Sequence, residues 1–354
     1  MKETKKRTSI GGQALMEGVM MRGPKKTAIA IRLENGDIVL EKWDNKVNNR
    51  HKFFKLPFVR GIFNFIDSMR TGYLAITRSA ELSEIESLEQ YHKAIESGEL
   101  SDIKDITSKD DNEEHISLKN QENKKKADKE DGKDKKVTAQ DAAYGMAAAV
   151  GAVLGTVLSV FLFIYLPTLF FNFIKKAVPA MDTRVMQSVC EGLIKIIIFL
   201  AYMYLMSLTK SMKRVFMYHG AEHKTIFCYE HEMDLTVNNV KKQSRFHPRC
   251  GTSFIVIMLI ISIGIAMCIP HSIPTLLRVC IKILLLPITM GIGYEAIKLA
   301  GRKDNTFTKV MSAPGLWMQH ISTKEPEEDY MIQCAIMAFN EVLPGDDSDC
   351  LDCK

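Results

Sequence analysis

The chain lacks most of the devices that hold small or secreted proteins together. Its eight cysteines among 354 residues are scattered without a framework spacing, which excludes a disulfide scaffold and suits a reducing compartment. Eleven prolines and 21 glycines without a three-residue period exclude a collagen-like chain. Residues 1–8 are basic, but no apolar stretch of the length a secretory signal needs follows them, so none is expected. Charge of one sign is scarce too: the formal net charge is only +5, and the mean hydropathy of −0.04 is that of an ordinary soluble domain.

That average conceals two extremes. Residues 84–141 hold 11 Lys and 17 Asp or Glu with almost no aromatic residue, and are expected to form a disordered linker; a short charged helix over the Glu-rich 84–100 is the alternative. Outside this stretch 36 basic residues face 25 acidic ones, a net of +11. Immediately afterwards Ala142–Ile174 runs for 33 residues without a charge, long enough to cross a bilayer. Within it Gly151 and Gly155 form a Gly-x-x-x-Gly that could serve as a helix-packing face. Three further spans are expected at 189–209, 251–277 and 279–297. Glu191 and Lys195 stand at i, i+4 near one end of the second.

Basic residues near the span ends set the expected topology. One side collects Lys133, Lys135, Lys136, Lys210, Lys213, Arg214, Lys298, Arg302 and Lys303; the other has Lys175, Lys176, Arg184 and Arg278. The richer side is expected to be cytoplasmic, giving a multi-pass cell-membrane protein with both termini inside and an inner loop at 210–250. The expected fold class is thus a mainly α membrane protein: an N-terminal unit (1–83), the linker (84–141), a four-helix membrane domain (142–300) and a C-terminal interfacial segment, helix and acidic tail (301–354).

The N-terminal unit contains a hairpin signal. Runs 28–33 and 38–43 flank Glu34-Asn35-Gly36-Asp37. Phe58, Ile62, Phe65, Met69, Tyr73 and Ile76 then follow a helical spacing, with Arg60, Arg70 and Arg78 outside the stripe. This describes an amphipathic helix that lies on the membrane surface, packs on the hairpin, or does both. Residues 11–24, rich in Gly and Met, are expected either to pack against the spans or the 210–250 loop or to be an irregular lead-in.

The 210–250 loop carries the candidate chemistry. His219 and His223, four apart, point the same way on a helix, as two ligands of one metal must. Glu222 completes H-x-x-E-H, the reversed zincin pattern in which a carboxylate beside the ligands serves as general base. His247 and Cys250, at the mouth of the third span, are the candidate third and fourth ligands of a divalent ion, Zn²⁺ by ligand type. The alternative is a set of surface histidines beside Lys224, Lys241, Lys242 and Arg245 that meets headgroup phosphate. Cys350-x-x-Cys353 has no second pair and reads as an inert tail, Pro314-Gly315 as a turn, Trp317 as an interfacial anchor, and 327–343 as a terminal helix. Charges gathered at span ends argue against ion-coupled transport, and basic residues that track membrane borders exclude a nucleic-acid groove.

The blocks GGQALMEGVMMRGP (11–24), YHGAEHKTIFCYE (218–230), HPRCGTSF (247–254), YEAIKLAGR (294–302) and APGLWMQHISTKEP (313–326), with Pro57 and Arg60-Gly61, resemble the YqhQ-like family. That is a domain-of-unknown-function family of bacterial multi-spanning membrane proteins described as predicted metal-dependent enzymes. The resemblance covers the chain except the charged linker and the Cys-containing tail. It implies a metal site at His219, His223, His247 and Cys250 with Glu222 beside it. The functions left open are a metal-dependent hydrolase acting on a lipid or membrane peptide, and a non-enzymatic scaffold or assembly factor that binds membrane lipids and a membrane-protein partner.

Overall fold

The computed structural model describes residues 6–45, 56, 59–98, 100–103, 139–181, 183–270, 273–300 and 306–351. The chain is mainly helical, with one small antiparallel sheet. β1 (Gly11–Leu15), β2 (Gly18–Arg22), β3 (Lys26–Arg32) and β4 (Ile38–Asp44) form a meander in the order β1-β2-β3-β4. The Asn-Gly hairpin is the β3–β4 pair, with Arg32 opposite Ile38 and Gly36 at φ +99° in its turn. β4 alternates buried and exposed residues, and its Val39 and Trp43 join a core with Ile29 and Ile31 of β3. Residues 11–22, left as a segment without defined structure, are a second hairpin. Its two-residue turn puts Glu17 at φ +52°, a left-handed conformation that a glutamate adopts only when something holds it. Both carboxylate oxygens of Glu17 accept from Arg214, at 2.5 Å each.

α1 (Val59–Ser83) is the expected amphipathic helix, and it packs on the sheet through the face opposite its apolar stripe. Its buried face is Gly61, Gly72, Ala75, Arg78, Ser79 and Leu82, whereas Ile66, Met69, Tyr73 and Ile76 of the apolar stripe are exposed. The polar face turns inward because Arg78 meets Glu41 of β4, and Arg60 makes a two-pronged pair with Glu295. The charged stretch does not begin at residue 84 as a linker. α2 (Leu88–Glu96), capped by Ser87, follows directly, and Ile85 and Ile103 are buried in the sheet's core. The expected linker's remaining part, 104–138, lies outside the described residues.

The apolar half contains α3 (Ala139–Val160), a π-helical turn at Phe161–Tyr165, α4 (Leu166–Ala177) and α5 (Arg184–Ser207). Of four expected spans, two are long and apolar enough to cross a membrane: Val150–Ala177 and Arg184–Ser207. A third is α9 (Thr275–Leu284) plus α10 (Leu286–Ala300), if this pair, bent by 45°, is taken as one span. The remaining expected span becomes α8 (Gly251–Ala266), whose 16 residues reach only about 24 Å, short of a hydrocarbon core of about 30 Å. Nothing lies within contact distance of a side chain built at Gly151 or Gly155, so that stripe packs against no described residue.

The 210–250 connection is built on a helix, α6 (Lys210–Glu230), which begins after an extended N-cap at Thr209 and leads into the short α7 (Val237–Lys241). α6 is buried from Phe216 to Cys228, apart from the half-buried His219, between β1, β2 and the terminal helix α12 (Asp329–Val342). α11 (Thr306–Ser322) runs straight through Pro314-Gly315, which is therefore no turn, and Trp317 is exposed on it. The start of the tail packs on the chain: Asp349 is buried and accepts from Thr8 Oγ1 and Tyr229 Oη, and residue 350 bridges to Thr8, while Cys353 lies outside the described residues.

Candidate metal centre

α6 supplies the core of the site. One turn apart on the same face, His219 and His223 have ring centroids 4.4 Å apart. His219 Nδ1 donates to the Ser322 carbonyl at 2.9 Å, and His223 Nδ1 donates to the Arg245 carbonyl at 2.5 Å. A carbonyl only accepts, so each contact assigns the proton to Nδ1 and leaves the Nε2 lone pair pointing inward. His219 Nε2 lies 3.2 Å from Cys250 Sγ, and His223 Nε2 is buried with no hydrogen-bond partner among the described residues. One ligand atom from each of His219, His223 and Cys250 falls within 4.8 Å of the others. Two imidazoles and a thiol at this separation are the donor set of a tetrahedral zinc-type site with one position open.

Glu222 sits beside this cluster, with Oε2 3.9 Å from His219 Nε2 and that oxygen without a hydrogen-bond partner among the described residues. Burial holds its carboxyl up at about 7, and the His219 ring and the Gly12 backbone N–H pull only partly the other way. Burial likewise lowers His223 to about 4, so the ring is neutral and can act as a donor ligand at neutral pH. The glycine of β1 is required here: a side chain at Gly12 would lie 2.9 Å from Glu222 Cδ and 2.7 Å from Met20 O. Gly12 itself is exposed and Cys250 half-buried, so the cluster sits just below the surface. Gly220, which weakens the helix, permits the Lys324 backbone to lie against α6. That contact, with Lys324 N donating to Phe216 O at 2.8 Å, brings the Ser322 carbonyl to His219.

His247 is near the other three but does not join them. Its Nε2 faces Glu230 Oε2 at 3.5 Å, and its backbone is held by Gln319 through two hydrogen bonds of 2.8 Å. Glu230, completely buried, also accepts from Arg249 and from the Thr8 N–H. The lysines and Arg245 that suggested a phosphate surface are largely engaged: Lys224 and Arg245 meet Glu325, and Lys241 meets Asp329. Sequence spacing missed the orienting groups because most of them are backbone carbonyls and amides, which leave no side-chain signal. Glu230 was a candidate of the 210–250 segment and Gln319 a polar residue of the APGLWMQHISTKEP block, but spacing assigned neither its contact with His247.

Fold and site together define a class: a mainly helical protein with a small sheet, membrane-length apolar helices and a His–His–Cys cluster where the two halves meet. The sequence profile of the family described as "Protein of unknown function (DUF1385)" matches residues 56–345, and the chain belongs to that family. It is 34% identical over 342 residues, 95% of this chain and 92% of the relative, to "Uncharacterized protein YqhQ" of Bacillus subtilis (strain 168). No solved structure matches.

Proposed function

We propose that this chain is a multi-pass membrane protein, with both termini in the cytoplasm, that holds one divalent ion through His219, His223 and Cys250 and hydrolyses a lipid or a membrane peptide at the cytoplasmic face. The observation that carries this reading is the convergence of the three donors with both Nδ1 atoms committed to backbone carbonyls. A bound Zn²⁺ would act as a Lewis acid and make water more acidic. Glu222, with a carboxyl near neutrality, is the group to take a proton from the attacking water and return it to the leaving group. The exposed apolar stripe of α1 supports a lipid-facing position for the sheet-bearing half.

A second reading is a scaffold with a structural metal. It draws support from His247, whose buried Nε2 has no hydrogen-bond partner among the described residues, Glu230 standing 3.5 Å away, and whose ring centroid is 5.6 Å from that of His223. A turn of that ring would make a closed four-ligand site. Metal analysis of detergent-purified protein tests both: about one ion per chain is expected, lost in the double variant His219→Ala, His223→Ala. Wild-type protein purified without chelator that holds no stoichiometric metal would exclude both. Glu222→Gln separates them, because the hydrolase reading expects retained metal with cellular function lost, and the scaffold reading expects function intact.

A further inference from the structure

A second polar cluster lies among the apolar helices, about 24 Å along the helix axis from the C-terminal end of α5. Glu191 of α5 accepts from Lys282 of α9 at 2.5 Å and from Gln187 at 2.9 Å, and Arg278 Nε is 3.7 Å away. Lys282 also donates to Thr168 at 3.0 Å. Lys195, one turn along α5, makes no hydrogen bond or ion pair among the described residues, so the expected Glu191–Lys195 pair is replaced by Glu191–Lys282. The cluster therefore has three cations, Lys195, Arg278 and Lys282, and one carboxylate.

Beside these charges is a cavity of about 50 Å³ whose polar lining is Ser188, Glu191, Lys195, Ser262, Lys282 and Thr289 on an otherwise apolar wall; Arg278 stands behind Glu191 and does not line it. Its volume is that of a few waters or one small oxyanion. Ser188, 1% exposed, leaves its hydroxyl without a partner among the described residues. Arg278, also 1% exposed and 3.7 Å from Glu191, leaves Nε and Nη2 without hydrogen-bond partners among the described residues. The backbone breaks here as well: the π-helical turn contributes Phe163, and the joint between α9 and α10 contributes Leu285. Uncompensated cations in helices of this kind are costly unless they serve a ligand, and irregular backbone at that depth is tolerated where it lines a cavity.

We infer that this cavity binds one phosphate group, with Lys195 and Ser188 as its unshared donors and the apolar wall receiving whatever the phosphate carries. The group comes either from an anionic phospholipid or from free phosphate. The full chain, delipidated in detergent, is titrated separately with phosphatidylglycerol and with inorganic phosphate, and thermal midpoint and native mass are recorded. One adduct per chain and a raised midpoint are expected with one of the probes, and the responding probe identifies the source. Lys195→Met should weaken that binding at least tenfold while raising the midpoint of the ligand-free protein, because it removes a half-buried charge with no hydrogen bond or ion pair among the described residues. A purely structural lysine would lower that midpoint. Ser188→Ala, a milder change, should weaken binding several-fold, and Lys210→Met, exposed on α6, should leave it unchanged. Wild-type protein that takes up neither probe, or Lys195→Met and Ser188→Ala proteins that bind as wild type does, would overturn the inference.

Discussion

Two buried ionic groups, one under the sheet and one on α6, are built from similar parts and finished differently. Under the sheet, Arg78 is 1% exposed and Glu41 4% exposed, and almost every donor and acceptor is used. Arg78 Nε and Nη2 reach Glu41 at 2.8 and 2.5 Å, Nη1 reaches Glu81 at 3.1 Å, and Tyr91 donates to Glu41 at 2.9 Å. On α6 the hydrogen bonds orient the rings but stop there, leaving His223 Nε2 and Glu222 Oε2 buried without a hydrogen-bond partner. A buried polar group left unsatisfied costs about 1–3 kcal/mol, so a site that repeats the omission is shaped for something that arrives later. Satisfaction, more than burial or charge, distinguishes the structural pair from the candidate centre.

The largest effect should come from breaking the satisfied pair. Arg78→Met leaves Glu41 buried against Tyr91 alone and should cost about 3–5 kcal/mol in chemical denaturation, with metal content unchanged in whatever folds. If Arg78→Met cost less than about 1 kcal/mol, the contrast between the two groups would collapse.

The open group should instead respond to pH. In chelator-treated protein, Glu222 has a folded value of about 7 against an ordinary 4.5, so the folded state retains a proton that the unfolded state has lost. Its contribution is complete below about pH 4.5 and is lost as the pH rises through 7, an effect of about 3 kcal/mol at most. His223 acts in the other direction: held near 4 against 6.5, it contributes above about pH 6.5 and loses that contribution as the pH falls through 4. The two slopes oppose each other between about 4.5 and 6.5. Glu222→Gln should therefore unmask a rise in stability with pH across that interval. A parallel pair of pH profiles for wild type and Glu222→Gln would show that the carboxyl is not held up by burial.

Gly12→Ala probes the seam between sheet and helix. The new methyl meets Met20 O at 2.7 Å and Glu222 Cδ at 2.9 Å, so either the strand or the carboxylate must shift, at about 1–3 kcal/mol. Metal retention should survive, because neither imidazole touches Gly12, while any activity that depends on Glu222 should fall. Equal activity with unchanged stability would separate Glu222 from the site.

These contrasts also show which parts of the molecule can be read from the chain. The β3–β4 hairpin was legible because Asn35-Gly36 is local chemistry, and Gly36 takes the positive φ that the turn demands. The α6 pair was legible because four-residue spacing is a property of one helix. The β1–β2 hairpin was not, since its turn residue is Glu17, held by Arg214 from 197 residues away. Nor could spacing choose between His247 and Cys250: the choice depends on where α8 begins and on Gln319, which holds the His247 backbone. The uncharged stretch 251–277, with its apolar run at 254–269, holds α8, whose helix ends at Ala266, so hydropathy located the element and overstated its end by a few residues.

The smallest predicted effect bears on the stripe of α1, whose pattern was legible and whose direction was not. Periodicity shows that Met69 and Tyr73 share a face, yet a core and a bilayer reward the same pattern. The inward face is fixed by contacts no periodicity reports: Gly61 against Tyr294, Asn64 donating to Tyr294 Oη at 2.8 Å, and Arg60 on Glu295. Met69 and Tyr73 are 57% and 73% exposed. The double variant Met69→Ser, Tyr73→Ser should thus change stability in detergent by no more than about 0.5 kcal/mol. The same variant reconstituted in vesicles should be less stable than wild type, because only there does the stripe have lipid to cover it. A loss above about 1 kcal/mol in detergent would mean that protein covers this face, and α1 would then belong with the satisfied core instead of with the membrane surface.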